Sequence, residues 1–285
     1  MMTVRHLLAA TLLAGALPLA PGAAEAAQSY DNCTGFIDSL PATISTQGTW
    51  CLRKNLNTSI TSGNAITIAA NNVTLDCNDF KVGGLGGGSA SKTNGIYADD
   101  RANVTVRQCV VRGFYRGVFL NRGFGHLIED NRVDNSLYIG IVSAGSYATG
   151  DTGSVIRNNQ VRDTGGGLTS ALGISASGYL IENNLVHGVF AMGTSPRTIG
   201  ISLTSNGIVR GNQVRIANSL ASGSATGIDA DAAGDSVIER NIVRGSGNVY
   251  PNTGIVGNFC RDNTATWVKT GEVCTSSVGY HGWGN

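Results

Sequence analysis

Glycine followed at once by isoleucine or valine recurs through more than half of this 285-residue chain. The pairs lie 22 to 33 residues apart, and their glycines are Gly95, Gly117, Gly140, Gly173, Gly200, Gly227 and Gly254. Between them runs a second motif, apolar-x-x-Asn-x-Val, as in the segment from Ile156 to Val161. Two short β-branched runs in each period of this length are typical of a solenoid, in which successive coils stack around a common interior.

Alignment of the repeats on the asparagine of the second motif gives columns of constant chemistry. The asparagine column contains Asn78, Cys109, Asn131, Asn159, Asn184, Asn212 and Asn241. Three places earlier stand Leu75, Val106, Ile128, Ile156, Ile181, Val209 and Ile238, and two places later stand Phe80, Val111, Val133, Val161, Val186, Val214 and Val243. Apolar positions that repeat once per coil predict the core, and stacked asparagines predict a structural hydrogen-bond ladder at a bend.

The position two places before the asparagine column alternates in charge without a break. It reads Asp76, Arg107, Glu129, Arg157, Glu182, Arg210 and Glu239. Side chains one coil apart on parallel strands are about 4.8 Å apart, where like charges repel each other. The alternation therefore predicts a ladder of ion pairs on a solvent-facing strand. The alternative is a mixed-charge binding face.

The N-terminal segment has the features of an export signal. Arg5 and His6 precede an apolar stretch from Leu7 to Ala20, and Ala24 to Ala26 fits a small-residue cleavage site. The apolar stretch is too short for a spanning helix, although a membrane anchor is the alternative. We therefore expect residues 1–27 to be a signal peptide and the mature chain to be secreted or periplasmic. We expect it to be monomeric and without a membrane span, and the net charge of +1 does not indicate a nucleic-acid partner.

Six cysteines are consistent with an oxidising compartment. Cys33 and Cys51 precede the repeats, while Cys260 and Cys274 follow them, so we expect one disulfide within each pair. Cys77 and Cys109 lie in adjacent coils but one column apart. They form either a disulfide or two buried thiols, and the column offset favours the thiols. The chain has no C-x-x-C motif, which argues against a zinc or redox site.

Three segments carry a resemblance to a known family. They are Ala65 to Phe80, Gly95 to Tyr97, and Asn103 to Val111. They resemble the first coils of right-handed parallel β-helix proteins of the pectate-lyase-like superfamily, close to the NosD-type and carbohydrate-binding β-helix repeats. The resemblance covers about residues 45–258 and implies an all-β, single-stranded right-handed parallel β-helix of about eight coils. It leaves the activity open, because the superfamily includes lyases, hydrolases, epimerases and phage tailspikes.

The repeats also predict how the chain is divided. Residues 28–60 are expected to form an N-terminal cap, with a short helix over Thr34 to Leu40 as one arrangement. Residues 61–258 form the β-helix, and residues 259–285, which carry no repeat, form a C-terminal cap. Covered ends prevent a solenoid from growing by edge pairing.

The strand that starts at each Gly-Ile or Gly-Val pair turns its third and fifth residues outward, because side chains alternate along a strand. In the first two coils these residues are Tyr97, Asp99, Phe119 and Asn121. Enzymes that resemble this fold place their substrate groove on this face. Aromatic rings beside polar and cationic groups suit a sugar that carries a carboxylate. In the alternative interpretation the rings only pack on each other.

Two nearby residues are the candidates for catalysis. In a lyase that resembles this fold, an arginine neutralises the uronate carboxylate and a base removes the neighbouring proton. Arg116 and Tyr138 are the expected pair.

A second candidate surface lies three places after the asparagine column. This column reads Arg112, Asp134, Arg162, His187, Arg215 and Arg244. Stacked cations repel each other unless anions lie between them. Asp134 and Asp163 could supply these anions locally, or an acidic polymer could bind through Arg162, His187 and Arg215.

No cofactor is expected, although calcium is an alternative near Asp229, Asp231 and Asp235, where hard oxygen ligands cluster. The coils on either side argue against it, since they offer only Ser202, Thr204, Val256 and Asn258 in register. The mature chain's three histidines fall in different coils or caps, so we expect no histidine metal cluster.

The leading hypothesis is an exported carbohydrate-active protein that acts on an acidic polysaccharide, with β-elimination by a polysaccharide lyase as the mechanism. One alternative is a non-catalytic β-helix that binds a cell-surface glycan. Another is a structural envelope or adhesion protein.

Overall fold

The computed structural model describes residues 30, 32–144, 153–166, 170–192, 195–216, 223–232, 234–245, 252–278 and 281–283. The expected signal peptide, residues 1–27, lies outside the described residues. Within the described ranges, no helix has the length and apolar character needed to span a membrane.

The described residues form 29 β-strands and one 3₁₀ turn, Leu85–Gly87. The first strands are β1 (Gly35–Ile37), β2 (Ala42–Ile44), β3 (Gly48–Leu52), β4 (Leu56–Asn57), β5 (Asn64–Ile68), β6 (Val73–Asp76), β7 (Lys81–Gly83), β8 (Asn94–Ala102), β9 (Val104–Arg107), β10 (Val110–Arg112), β11 (Arg116–Phe124), β12 (Leu127–Glu129), β13 (Arg132–Asp134) and β14 (Ile139–Ala144). They are followed by β15 (Ser154–Arg157), β16 (Gln160–Arg162), β17 (Ser170–Ala176), β18 (Tyr179–Glu182), β19 (Leu185–Val189), β20 (Arg197–Leu203), β21 (Ile208–Arg210), β22 (Gln213–Ile216), β23 (Ser224–Asp229), β24 (Val237–Glu239), β25 (Ile242–Arg244), β26 (Asn252–Arg261), β27 (Thr264–Thr266), β28 (Thr270–Val278) and β29 (His281–Trp283).

The strands form two sheets, and every strand pair is parallel. Sheet A has 19 strands, and sheet B has ten: β4, β7, β10, β13, β16, β19, β22, β25, β27 and β29. A middle coil contributes two strands to sheet A and then one to sheet B, as β11, β12 and β13 do. Val118 of β11 lies opposite Ile96 of the preceding coil and Ile141 of the following one. Because each strand pairs with its counterpart one coil away, the chain is a single-stranded right-handed parallel β-helix.

Parallel pairing continues on both sides of residues 61–258. At the N-terminal side, β3 pairs with β6 and β4 pairs with β7. At the C-terminal side, β26 pairs with β28 and β27 pairs with β29. Of the ten strands of sheet B in the described residues, seven lie within residues 61–258 and three lie outside them.

The short helix considered over Thr34 to Leu40 is wrong, since Gly35–Ile37 is a strand. It pairs with β3 in parallel, with Phe36 opposite Cys51. The disulfide between Cys33 and Cys51 fixes the segment beside β3, so its backbone groups bond to that strand instead of to one another.

The glycines of the repeat lie where sheet A comes close to the side chains of sheet B inside the β-helix. An added Cβ on Gly117 would lie 2.4 Å from Cγ1 of Val133 and 2.6 Å from the carbonyl oxygen of Gly140. Gly140 is confined in the same way by Val161. Any larger residue would push sheets A and B apart, which explains why the motif restarts with glycine.

The asparagine ladder predicted from the sequence is confirmed and extends to Asn263. The Oδ1 atom of Asn184 accepts hydrogen bonds from the backbone and side-chain nitrogens of Asn159, at 2.9 and 3.0 Å. The Nδ2 atom of Asn184 donates to the carbonyl oxygen of Ile156 at 3.0 Å and to Oδ1 of Asn212 at 3.0 Å. The ladder thus satisfies polar groups at a fully buried bend.

The coil formed by β5, β6 and β7 departs from the predicted alignment. Residues 77–80 connect β6 to β7, whereas only residues 108–109 connect β9 to β10. Val82, not Phe80, consequently lies opposite Val111 in the core column. Asn78 donates from Nδ2 to the carbonyl oxygen of Leu52 at 3.2 Å.

The charge column forms ion pairs, as predicted, and each arginine pairs with the acid of the preceding coil. The pairs are Asp76–Arg107, Glu129–Arg157, Glu182–Arg210 and Glu239–Arg261. The arginine side chains are 41–55% exposed and cover acids that are 7–14% exposed. The column is therefore neutralised from within the chain.

Three disulfides are present. Cys33 pairs with Cys51 and Cys260 pairs with Cys274, as expected for the two ends. The preference for buried thiols at Cys77 and Cys109 is wrong, since these residues form the third disulfide with Cα atoms 4.7 Å apart. The alignment places Cys77 and Cys109 one column apart, but the bend after β6 is longer than the bend after β9, and the two cysteines are close enough to form a bond.

Candidate functional site

The outward face of β8 and β11 brings together the aromatic residues predicted for a sugar site. Tyr97 and Phe119 are register partners on adjacent coils, and their ring centroids are 5.3 Å apart. Both are half-buried, whereas the residues on either side of each in sequence are buried in the core. The two rings do pack on each other, as the alternative interpretation expected. We name the surface formed by Tyr97, Phe119, Tyr115, Tyr138 and Arg116 the aromatic face.

Arg116 lies at the centre of the aromatic face. Its Cζ atom is 4.7 Å from the ring centroid of Phe119, 5.0 Å from that of Tyr115 and 5.7 Å from that of Tyr138. All three distances are within the range of a cation–π contact. No described carboxylate forms an ion pair with Arg116. Its guanidinium is thus positioned by rings and retains its charge for an external anion.

A second cation, which the sequence reasoning missed, shares the same surface. Nζ of Lys92 lies 4.4 Å from the ring centroid of Tyr115, and that ring stacks on Tyr138 with centroids 5.1 Å apart. Lys92 belongs to the connection between β7 and β8, which carries no repeat to indicate where its side chain points. Lys92 and Arg116 together make this part of the face cationic.

The predicted polar residues of the face, Asp99 and Asn121, bind each other. Nδ2 of Asn121 donates to Oδ1 of Asp99 at 2.8 Å. Nη2 of Arg122 donates to both oxygens of Asp99, at 2.7 and 2.8 Å. The hydrogen bonds from Arg122 lower the pKa of Asp99, so its carboxylate is ionised and already paired. Burial, with a smaller contribution from the Asp99 charge, raises the pKa of Tyr97, which keeps its hydroxyl protonated.

The second predicted surface is a straight column on the outside of sheet B. Arg112, Asp134, Arg162, His187, Arg215 and Arg244 are register partners on consecutive coils. We name this set the basic column. It lies on a different sheet from the aromatic face, so the structure separates the predicted substrate-binding residues into two groups.

The calcium alternative concerns the C-terminal coils. Asp229 accepts a hydrogen bond from Nη2 of Arg197 at 2.8 Å, and Asp231 and Asp235 are exposed. In the described residues, the side chains that could jointly ligate a metal within 4.8 Å are Cys260, Glu272 and Cys274. Two of these sulfurs form a disulfide and are not thiolate ligands.

The chain matches the profile of a known protein family. The profile of the NosD family, described as a periplasmic copper-binding protein, matches residues 29–198, which is more than half of the chain. The chain belongs to the NosD family. No curated protein sequence matches it significantly.

Among solved structures, this NosD-family chain is similar to the Dettilon tailspike protein, with a TM-score of 0.52 and 18% sequence identity. The similarity covers 81% of this chain and 47% of the tailspike chain, so the NosD-family chain spans about half the length of that neighbour. At this level of identity the likeness concerns the fold.

The description of the NosD family implies copper, for which proteins use histidine, cysteine and methionine ligands. All described cysteines are in disulfides. His126 is buried, and both of its ring nitrogens bond to backbone groups of the chain. His187 lies between Arg162 and Arg215, whose charges oppose a metal cation. The described cysteines and the side chains of His126 and His187 therefore do not fit a copper site, and we assign no copper chemistry to them.

Proposed function

We propose that the protein is an exported glycan-binding β-helix that holds an acidic polysaccharide on its aromatic face. The observation that carries this proposal is Arg116, whose guanidinium lies over three aromatic rings and has no described acidic partner. Arginine forms paired, charge-assisted hydrogen bonds with carboxylates, and flat aromatic surfaces suit the apolar faces of sugar rings.

The surrounding charges support an acidic ligand over a neutral one. Lys92 adds a second cation beside Tyr115. Asp99, on the outward side of β8, is paired with Arg122 and does not compete for Arg116. The periplasmic description of the NosD family and the three disulfides support an exported location, where such polymers are met.

Affinity measurements on variants test this proposal. Arg116→Ala should weaken binding to a polyuronate, such as alginate or pectate, by about 1.5–3 kcal/mol, the scale of a charge-assisted hydrogen bond. Binding should also weaken as salt is added, because salt screens the attraction. Arg197→Ala is the matched control, since Arg197 lies on the same sheet but pairs with Asp229. Equal affinity of Arg116→Ala and the unmodified protein would exclude the aromatic face as the binding site.

A polysaccharide lyase is the second candidate function. It is favoured by the position of Tyr138, whose ring lies 5.7 Å from Cζ of Arg116. In β-elimination, Arg116 would neutralise the uronate carboxylate while Tyr138 removed the α-proton. The bond to the leaving oxygen would break as a carbon–carbon double bond formed, and the leaving oxygen would take up the proton that Tyr138 had removed.

Ultraviolet absorbance of the unsaturated product distinguishes the lyase from a binding protein. A lyase should generate this absorbance from a polyuronate, and Tyr138→Phe should abolish it while leaving affinity within about twofold, because phenylalanine keeps the aromatic ring. Binding without absorbance supports the non-catalytic protein. Neither binding nor absorbance, with any polymer, would leave the structural envelope or adhesion role.

A further inference from the structure

The arginines of the charge column on sheet A have acidic partners, whereas those of the basic column on sheet B have none among the described residues. On sheet A, every arginine of the charge column pairs with an acid one coil earlier. On sheet B, the basic column places Arg162, His187, Arg215 and Arg244 in uninterrupted succession over four coils. The same fold therefore neutralises one column and leaves the other cationic.

The acids near the basic column do not neutralise these four coils. Asp134 is almost fully buried and bonds to Nε of Arg132 at 2.6 Å. Asp163 forms no ion pair with any described residue. Arg162 donates to Oε1 of Gln160 at 2.8 Å, which orients its guanidinium without reducing the charge. No described acid pairs with Arg215 or Arg244, and both are exposed.

The geometry of the column defines the ligand that would neutralise it. Strands in adjacent coils are about 4.8 Å apart, so the three arginines and His187 form a line along the helix axis at that spacing. Like charges at this distance repel each other unless anions lie between them. A single small anion would reach only one or two coils, whereas an extended polyanion would reach all of them.

The other outward residues of sheet B indicate which class of polymer the basic column would bind. The second outward column beside the basic one contains Val110, Arg132, Gln160, Leu185, Gln213 and Ile242. Neither column contains an aromatic residue over these coils. Proteins that hold single-stranded nucleic acid usually supply aromatic rings on which bases stack. Glutamine and arginine side chains instead suit the hydroxyl and carboxylate groups of an acidic polysaccharide.

We propose that the basic column of sheet B is a second polyanion-binding surface, on which an acidic polysaccharide lies parallel to the helix axis. This surface is independent of the aromatic face. A long polymer that binds both surfaces would gain affinity through multivalency.

The test measures binding of a fluorescently labelled pectate oligomer to protein that already carries Arg116→Ala, so that the aromatic face is weakened throughout. In this background, adding Arg162→Gln together with Arg215→Gln should reduce the affinity about tenfold or more, since two charge-assisted contacts are lost. Lys54→Gln together with Lys269→Gln is the charge-matched control, because both lysines are exposed and lie outside both surfaces. This control should bind as the background does.

Four outcomes would overturn the proposal. One is equal affinity of the double variant and its background, with circular dichroism confirming that both are folded. Another is equal binding of a neutral glucan of the same length. The third is displacement of the pectate oligomer by a single-stranded oligonucleotide of equal charge at a lower concentration, which would assign the column to nucleic acid. Loss of pectate binding in Arg116→Ala alone, with no residual affinity, would support the aromatic face and refute the basic column.

Discussion

At the scale of single residues, His126 is the buried titratable group whose protonation the fold opposes. Its Nδ1 atom accepts a hydrogen bond from the backbone nitrogen of Val104 at 3.3 Å, so the proton of the neutral ring is on Nε2. Nε2 lies 3.1 Å from the carbonyl oxygen of Arg122, to which it donates. Burial lowers the pKa of His126, because a charged imidazole would lose its hydration.

This environment predicts a loss of stability in mild acid. Below the unfolded pKa of about 6.5 the unfolded chain binds a proton at this position that the folded chain does not. The free energy of unfolding should therefore fall as the pH drops below about 6.5, and His126→Gln should reduce that dependence. Urea unfolding at several pH values measures both. The same pH dependence in His126→Gln and the unmodified protein would contradict the role of His126.

The ion pairs of the charge column give a second residue-scale prediction. Nη2 of Arg157 lies 2.7 Å from Oε2 of Glu129, and Glu182 lies one coil further along the same column. Arg157→Glu would place three acids in a row and should lower the free energy of unfolding by about 1 kcal/mol at low salt. Arg157→Gln, which removes the pair without adding an acid, is the control and should cost less. An unchanged stability of Arg157→Glu would disprove the energetic role of the column.

At the scale of elements, the asparagine ladder connects the sheet A and sheet B strands of six consecutive coils. Each interior asparagine accepts two hydrogen bonds from the preceding coil and donates to the following one. Replacing one of these asparagines with an apolar residue should therefore destabilise the β-helix, because the polar groups of the ladder are buried.

Asn184→Ala tests the ladder. It removes the acceptor of the backbone nitrogen of Asn159, which is left buried without a partner, whereas Nδ2 of Asn159 still donates to the carbonyl oxygens of Ile128 and Arg157. One buried unsatisfied group costs about 1–3 kcal/mol, so the free energy of unfolding should fall by about that amount. The exposed Gln213→Ala on the next coil should change it by less than about 0.5 kcal/mol. Similar losses for the two variants in urea unfolding would show that the ladder adds no stability.

The sequence predicts elements well wherever chemistry repeats in register. Side-chain alternation along a strand was enough to place Tyr97 and Phe119 outward, and the columns were enough to pair Arg157 with Glu129. The predictions were wrong where the coil length changes, since Phe80 and Cys77 lie in a bend two residues longer than its counterpart. Lys92 was missed because it lies in a connection without a repeat, and only the folded chain brings it over Tyr115.

At the scale of the whole molecule, a β-helix has long outward faces, and the residues of each face determine its charge independently of the other faces. One outward column is internally neutralised, and another carries three arginines and a histidine over four coils. The region around β8 and β11 carries aromatic rings and cations. Since these surfaces follow the helix axis, they suit an extended ligand better than a compact one. Which residues face outward could be predicted from the sequence, but which of them lack an internal partner could not, because that depends on side-chain geometry.

The most direct test of acidic-glycan binding is a crystal structure with a short polyuronate oligosaccharide. We predict a sugar carboxylate within about 2.7–2.9 Å of the Arg116 guanidinium nitrogens, the range of charge-assisted hydrogen bonds, with the sugar ring against the aromatic face. In the matching Arg116→Ala crystals the oligosaccharide should be absent from this face. An oligosaccharide that binds elsewhere and leaves Arg116 in contact only with its three rings would contradict the proposed function.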